Sequence, residues 1–219
     1  MVKLCIFDLD GTLLNTINTI AYYANSALEK HGVAPIAVER YKYLVGKGAK
    51  NLIHAALRER NCDDDVLFEA VFTDYNVAYN SNVTYLTAPY DGIVEMLAEL
   101  RARGIRTAIV SNKPDFATKA VVSEILGEVA FDYVTGQREG VPLKPDPAAV
   151  INVMEMIGVS AAECVYVGDT STDMKTGKSA GVYTVGVLWG FRDRAELEEN
   201  GADALAANAK KLLEIIVEK

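Results

Sequence analysis

Five short apolar runs recur along the chain with helix-like stretches between them: Leu4–Phe7, Ile105–Val110, Phe131–Val134, Cys164–Val167 and Val182–Val187. They are rich in Val, Ile, Tyr and Phe, and most lack the alternation of a strand with one wet face. Near-continuous apolar runs suit strands covered on both sides, as in a parallel sheet. The stretches between them have helical periodicity. Ile93, Met96, Leu97 and Leu100 form one stripe, closed by Gly104, and Phe116, Ala117, Ala120 and Val121 form a second after Pro114. Val150, Val153, Met154 and Ile157 form a third, stopped by Gly158, and Leu212, Leu213 and Ile216 mark a last helix. Strands alternating with helices in this way indicate a doubly wound α/β sheet.

One segment breaks the alternation. From Asn15 to Ser81 the pattern is helical with no strand. Ile17, Ile20, Ala21, Ala24 and Leu28 share a face that ends near Gly32, Leu52, Ile53, Ala56 and Leu57 share another, and Leu67, Ala70, Val71 and Tyr75 share a third. The acids Asp63-Asp64-Asp65 ahead of that third face suit a helix N-terminus. The chain is therefore expected to form a Rossmann-like parallel-sheet core from residues 1–14 and 82–219, with residues 15–81 inserted as a helical bundle.

Half of the 219 residues are hydrophobic, ample for a packed core, and the net charge is −8 with no basic run. Nucleic acid is an improbable partner on that balance, because binding it requires neutralising phosphates. Small anions remain acceptable, since a local site can be positive on an acidic protein. Cys5, Cys62 and Cys164 are scattered singly, which suggests reduced thiols, two of them in apolar runs as small core residues. The opening Met1-Val2-Lys3-Leu4 has no leader pattern, and no stretch approaches the roughly 18 apolar residues of a membrane span. A cytoplasmic protein with no membrane partner is expected, either monomer or homodimer.

In an open α/β sheet, ligands bind beyond the carboxyl ends of the strands. Asp8 and Asp10 follow the first run, with Gly11-Thr12 after them, and Ser111-Asn112-Lys113 follow the second. Lys144 lies in a Pro-rich loop after the third, and Asp169 and Asp173 follow the fourth. Clustered carboxylates repel one another unless a cation joins them, and hard oxygen ligands without His or Cys favour Mg²⁺ over zinc. An Asp can act as a nucleophile, and a neighbouring Asp can protonate a leaving group and then deprotonate water. Ser and Lys can hold phosphoryl oxygens and offset their charge. The residue types suit phosphoryl transfer to water.

This set resembles the haloacid dehalogenase-like phosphatases over essentially the whole chain, with DLDGT at Asp8–Thr12, Ser111, Lys144 and GDTSTD at Gly168–Asp173 as four motifs in order. The resemblance implies Asp8 as nucleophile and Asp10 as acid/base. It implies Mg²⁺ held by Asp8, the backbone carbonyl of Asp10 and Asp169, with Asp173 close behind, and a phosphoryl group held by Ser111, Asn112 and Lys144. The inserted helices match the alpha-helical cap of the phosphoglycolate phosphatase and β-phosphoglucomutase branch. Dehalogenases of the superfamily generally lack the second acid, so Asp10 points to phosphate chemistry. A Schiff-base hydrolase would need a cap lysine, for which Lys30, Lys42, Lys47 and Lys50 are available.

The stretch LVGKGAKNL at Leu44–Leu52 resembles a cap specificity loop, with Gly46 and Gly48 allowing close approach to substrate and Lys47 either meeting a second anionic group or standing as a surface lysine. Asn15-Thr16 stand where many relatives have Asp-Ser, and Asn15 could cap the following helix. The function expected is Mg²⁺-dependent hydrolysis of small phosphomonoesters, phosphoglycolate first, through an aspartyl-phosphate. Inorganic pyrophosphatase, a β-phosphoglucomutase-like phosphotransferase and a regulatory protein that binds phosphate esters are the alternatives. Thr172–Ser179 imitates a phosphate-binding P-loop but has Thr where that loop needs its first Gly. His31 and His54 lie apart in helical segments and are read as structural, and Trp189-Gly190-Phe191, after the last apolar run, as packing that could also border the site.

Overall fold

The computed structural model describes residues 1–127, 129 and 131–219. Its main sheet has six parallel strands in the order β5-β4-β1-β6-β7-β8. These are β1 Leu4–Phe7, β4 Arg106–Pro114, β5 Tyr133–Gln137, β6 Cys164–Gly168, β7 Tyr183–Val187 and β8 Ala204–Ala206. The expectation of a doubly wound parallel sheet is met. The apolar runs are explained by burial on both faces. Leu4 and Ile6 pack with Val150, Val153 and Tyr166 on one side, while Cys5 and Phe7 pack with Ile109, Val165 and Leu97 on the other.

The helices α5 Ile93–Ala102, α6 Asp115–Ile125, α7 Ala148–Ile157, α8 Ser171–Ser179, α9 Arg194–Glu199 and α10 Ala209–Glu218 cover the sheet and its ends. The α6 face differs from the expected one. Phe116 and Ala120 face outward, and Thr118 and Val122 are buried with Ala117 and Val121. Thr118 can turn inward because its hydroxyl donates to the carbonyls of Lys113 and Pro114, at 3.2 and 3.1 Å. β4 also runs further than the apolar run, so Ser111, Asn112 and Lys113 belong to the strand and not to a loop behind it. β8 has no counterpart among the expected strands.

Between β1 and α5 the chain forms α1 Ile17–Lys30, α2 Val38–Leu44, α3 Ala49–Glu59 and α4 Asp65–Ser81. The faces expected on α1 and α3 are buried. On α4 the buried line is Phe68, Val71, Tyr75 and Tyr79, so Leu67 and Ala70 lie at its border. Asp64 caps α4 by accepting from the amides of Val66 and Leu67 at 3.1 and 3.0 Å. The helices leave and return through two short antiparallel strands, β2 Leu14–Asn15 and β3 Ala88–Pro89. Asn15 therefore sits in a strand, and Thr16 holds the N-cap position of α1 with no side-chain capping bond. His31 bonds Asp74 at 2.7 Å, and His54 bonds Asp63 at 2.8 Å, as structural histidines do.

Candidate active site

The strand order decides where the acids meet. β1 lies between β4 and β6, with Phe7 opposite Ile109 on one side and Val167 on the other. The residues just beyond these positions, Asp8, Ser111 and Asp169, therefore emerge side by side at one carboxyl edge. The connections also reverse direction across β1, which makes this the switch point where an α/β sheet opens a crevice.

Asp8, Asp169 and Asp173 are buried and offer carboxylate oxygens within 4.8 Å of one another. Lys144 is buried between two of them, 2.9 Å from Asp8 Oδ1 and 2.8 Å from Asp173 Oδ1. The Tyr166 hydroxyl accepts from Lys144 at 3.2 Å and donates to Asp173 at 3.2 Å. The other oxygen of Asp173 accepts from the Thr170 amide and hydroxyl at 3.1 and 2.6 Å, in a capping box at the start of α8. Asp173 thus orients Lys144 as well as facing the other acids.

Asp169 is fixed by the Thr12 hydroxyl at 2.9 Å and the Phe191 amide at 2.8 Å. Two glycines make its position possible. A Cβ on Gly11, at φ +88°, would lie 2.3 Å from Asp169 Oδ2, and one on Gly190 would lie 2.2 Å from the Asp169 Cβ. Trp189 braces the same turn by donating its indole N–H to the Thr12 carbonyl at 3.0 Å. Trp189-Gly190-Phe191 thus borders the site as well as packing, and it helps to build the acid pocket. Gly190→Ala is expected to displace Asp169 and weaken divalent-ion binding by about 10-fold or more, measured by calorimetric titration, because orienting contacts of this kind carry such factors.

The second catalytic candidate, Asp10, does not face the triad's lysine. Both of its oxygens bind Lys113 Nζ, at 3.1 and 3.2 Å. Lys113 also donates to the Tyr79 hydroxyl from α4 and lies 4.8 Å from that ring's centroid. Lys113 and Tyr79 were not singled out by the sequence. The only hint was that Lys113 adjoins Ser111-Asn112. Asn112 is a clasp. Its side-chain amide donates to the carbonyls of Gly46 and Lys144 at 3.0 and 3.1 Å, and its Oδ1 accepts from the Lys144 amide at 2.9 Å. Arg192 holds the same loop from the other side, donating to the carbonyls of Lys42 and Val45.

A cavity of about 60 Å³ opens over Asp8, Asp10, Ser111 and Asn112, walled by Gly46, Gly48, Leu52, Tyr75, Tyr79 and Phe191 among others. Gly46 and Gly48 line this cavity. Lys47 does not line it. That side chain borders a separate hollow with Asn51, Pro145 and Lys175. The P-loop imitation lies within α8, and its Lys178 pairs with Asp203 at 2.7 Å, not with the site acids.

Crowding shapes the electrostatics. Burial first, then the charge of Asp173, push the Asp8 carboxyl up against the pull of Lys144, to about 6. Burial and the charges of Asp173 and Asp8 hold Asp169 well above the usual carboxylate range. Burial lowers the Lys144 ammonium, but Asp173 and Asp8 outweigh it and the net shift is upward. Four carboxylates face two lysines here, an excess a divalent cation would neutralise. The all-oxygen donor set fits a hard ion.

Asp8, raised to about 6 from 3.8, holds its proton more tightly folded than unfolded. Its contribution to stability is therefore full below the unfolded value and is lost as pH rises through about 6. In chelator, the melting temperature of wild type relative to Asp8→Asn is expected to fall between about pH 3.5 and about pH 6.5 and to level off above that. A flat difference would contradict the burial of that charge.

Comparison with known proteins shows the family. Residues 5–187 match the family model for haloacid dehalogenase-like hydrolases. A phosphoglycolate phosphatase of Pseudomonas putida is 30% identical over 214 residues, covering 96% of this chain and 78% of the relative. One from Neisseria meningitidis is 30% identical over 92% of this chain and 86% of its own length. The crystal structure of a candidate phosphoglycolate phosphatase from Lactobacillus delbrueckii subsp. bulgaricus superposes with a TM-score of 0.93 at 29% identity, covering 98% of both chains. The chain belongs to the haloacid dehalogenase-like hydrolases. Within them it is a phosphoric monoester hydrolase of the phosphoglycolate phosphatase-like branch.

Proposed function

We propose that the protein is a Mg²⁺-dependent phosphatase of small phosphomonoesters, with phosphoglycolate-like esters foremost, acting through an aspartyl-phosphate. The observation that carries this reading is the meeting of Asp8, Ser111 and Asp169 at three adjacent strand ends, with Lys144 and Asp173 behind them. The names of the relatives support the ester class.

In this reading residues 15–81 form a cap domain on a core of residues 1–14 and 82–219. Asp8, the Asp10 carbonyl and Asp169 would hold Mg²⁺, with Asp173 close behind. The ion would neutralise the nucleophile's and phosphoryl group's charge so that two anions can approach. One Asp8 oxygen attacks phosphorus, and the ester P–O bond breaks. Asp10 gives its proton to the departing oxygen. Asp10 then takes a proton from water as that water attacks phosphorus, and the bond to Asp8 breaks, returning the carboxylate and releasing phosphate. Ser111, the Asn112 backbone and Lys144 hold the phosphoryl oxygens, Lys144 already fixing the face of Asp8. The cap helices exclude water from the site.

Three free cysteines and the absence, among the described residues, of a helix able to cross a membrane support a cytoplasmic setting. The test is phosphate release from phosphoglycolate, pyrophosphate, hexose phosphates and nucleotides, with Mg²⁺ or chelator. Fastest release from a short monoester, lost in chelator, is expected. Preference for pyrophosphate, isomerisation of a hexose phosphate, or Mg²⁺-dependent binding without turnover would each replace this reading with a different one.

A further inference from the structure

Lys113 is the one cation among the described residues lining the cavity over Asp8. Its side chain is 4% exposed, so little water screens it. Its charge is met by both oxygens of Asp10 and by the Tyr79 hydroxyl. The nearby wall also includes the apolar Ile20, Val45, Leu52 and Phe191 and the neutral donors Asn76, Asn80 and Thr170, none of which carries a charge to match an anion's. A second negative group placed in this cavity would be costly without a cation; Lys144 is engaged by Asp8 and Asp173, and Lys113 is the cation that lines the cavity wall. Lys47, the sequence-based candidate for that contact, borders the other hollow.

The same lysine holds the acid/base candidate. While Lys113 grips Asp10 at both oxygens, that carboxyl is tied to a partner other than the ester oxygen. An arriving anion and Asp10 compete for one ammonium. We propose that Lys113 is the receptor for a second anionic group on the substrate, and that this group draws Lys113 from Asp10 and releases Asp10 to serve the ester oxygen. The substrate class that follows is a short phosphate monoester carrying a carboxylate near the ester carbon. A neutral leaving group of the same size leaves the Lys113–Asp10 pair closed. Tyr79 keeps the lysine at the cavity wall in both arrangements, through its hydroxyl and its ring. This inference rests on the phosphatase reading and adds to it a specificity residue and a reason for the specificity.

Phosphoglycolate and ethyl phosphate test it, because they differ in a carboxylate against a methyl group. Wild type is expected to favour phosphoglycolate by about 100-fold or more in kcat/KM, the scale on which an unmatched polar group in a built site discriminates. Lys113→Met should compress that ratio to about 5-fold or less, and Lys113→Arg should keep most of it. Formate titrated into the wild-type reaction with ethyl phosphate should raise kcat several-fold by supplying the missing anion, and should not do so in Lys113→Met. The formate arm needs only wild-type protein, so it decides the matter even where Lys113→Met fails to fold. Equal rates on the two esters, an unchanged ratio in Lys113→Met, or no response to formate would overturn the inference and leave the phosphatase standing. Release of phosphate from neither ester would remove the phosphatase reading beneath it.

Discussion

Asp8→Asn is expected to lose at least about 10⁴-fold in kcat on any ester that wild type hydrolyses, the scale seen when a covalent catalyst loses its nucleophile. The amide cannot form the phosphoryl ester, and no other carboxylate can take its place. Asp169 is held by Thr12 and Phe191 and Asp173 by Lys144, Tyr166 and Thr170, while Asp10 serves the ester oxygen and not phosphorus. The fold should survive. Asn keeps the shape of Asp, and its neutrality relieves a charge that burial and Asp173 already oppose. A folded variant that still turns over at a tenth of the wild-type rate would mean that water is attacked directly with Asp8 only as a bystander.

Lys144→Met has the largest expected effect on stability. The lysine is buried and bridges Asp8 and Asp173, with Asp169 beside them. Removing one partner of a buried ion pair typically costs about 3–5 kcal/mol, because the remaining charges stay out of water. For a chain of this size that corresponds to a fall of roughly 10 °C in melting temperature. Met fills most of the space, so the loss should be electrostatic. Added Mg²⁺ is expected to recover part of it, since a divalent ion neutralises the same carboxylates. Scanning calorimetry with chelator and with Mg²⁺ checks both. An unchanged melting temperature in chelator would show that the acids are not charged together in the resting protein.

The positions of the main acids could be read from the chain because each follows an apolar run, and a run buried on both faces ends where its side chains turn polar. Phe7-Asp8 and Gly168-Asp169 mark such edges, and the parallel register, with Phe7 opposite Val167, brings the two acids to within one residue of each other along the strands. The register itself was beyond reach, and so was everything that depends on contacts distant in sequence. Lys113 reads as one more polar residue after Ser111-Asn112, yet it pairs with Asp10, 103 positions earlier, and with Tyr79, 34 positions earlier. Gly190 looks like a turn residue until the acid behind it is seen. Ala204–Ala206 lacks the branched and aromatic residues that advertise a strand, and it is held by pairing with β7. Phe116 misled the reading of α6 because periodicity assumes that the larger apolar residue turns inward. A nearby pair of carbonyls let Thr118 do so.

Rapid-quench mapping of the phosphoryl group during turnover tests the central assignment most directly. Wild-type protein mixed with phosphoglycolate and Mg²⁺, quenched in acid and digested, should carry phosphate on the peptide containing Asp8. The adduct should be missing in chelator and in Asp8→Asn. Steady phosphate release with no adduct at Asp8 at any quench time, and with Asp8→Asn still active, would contradict it.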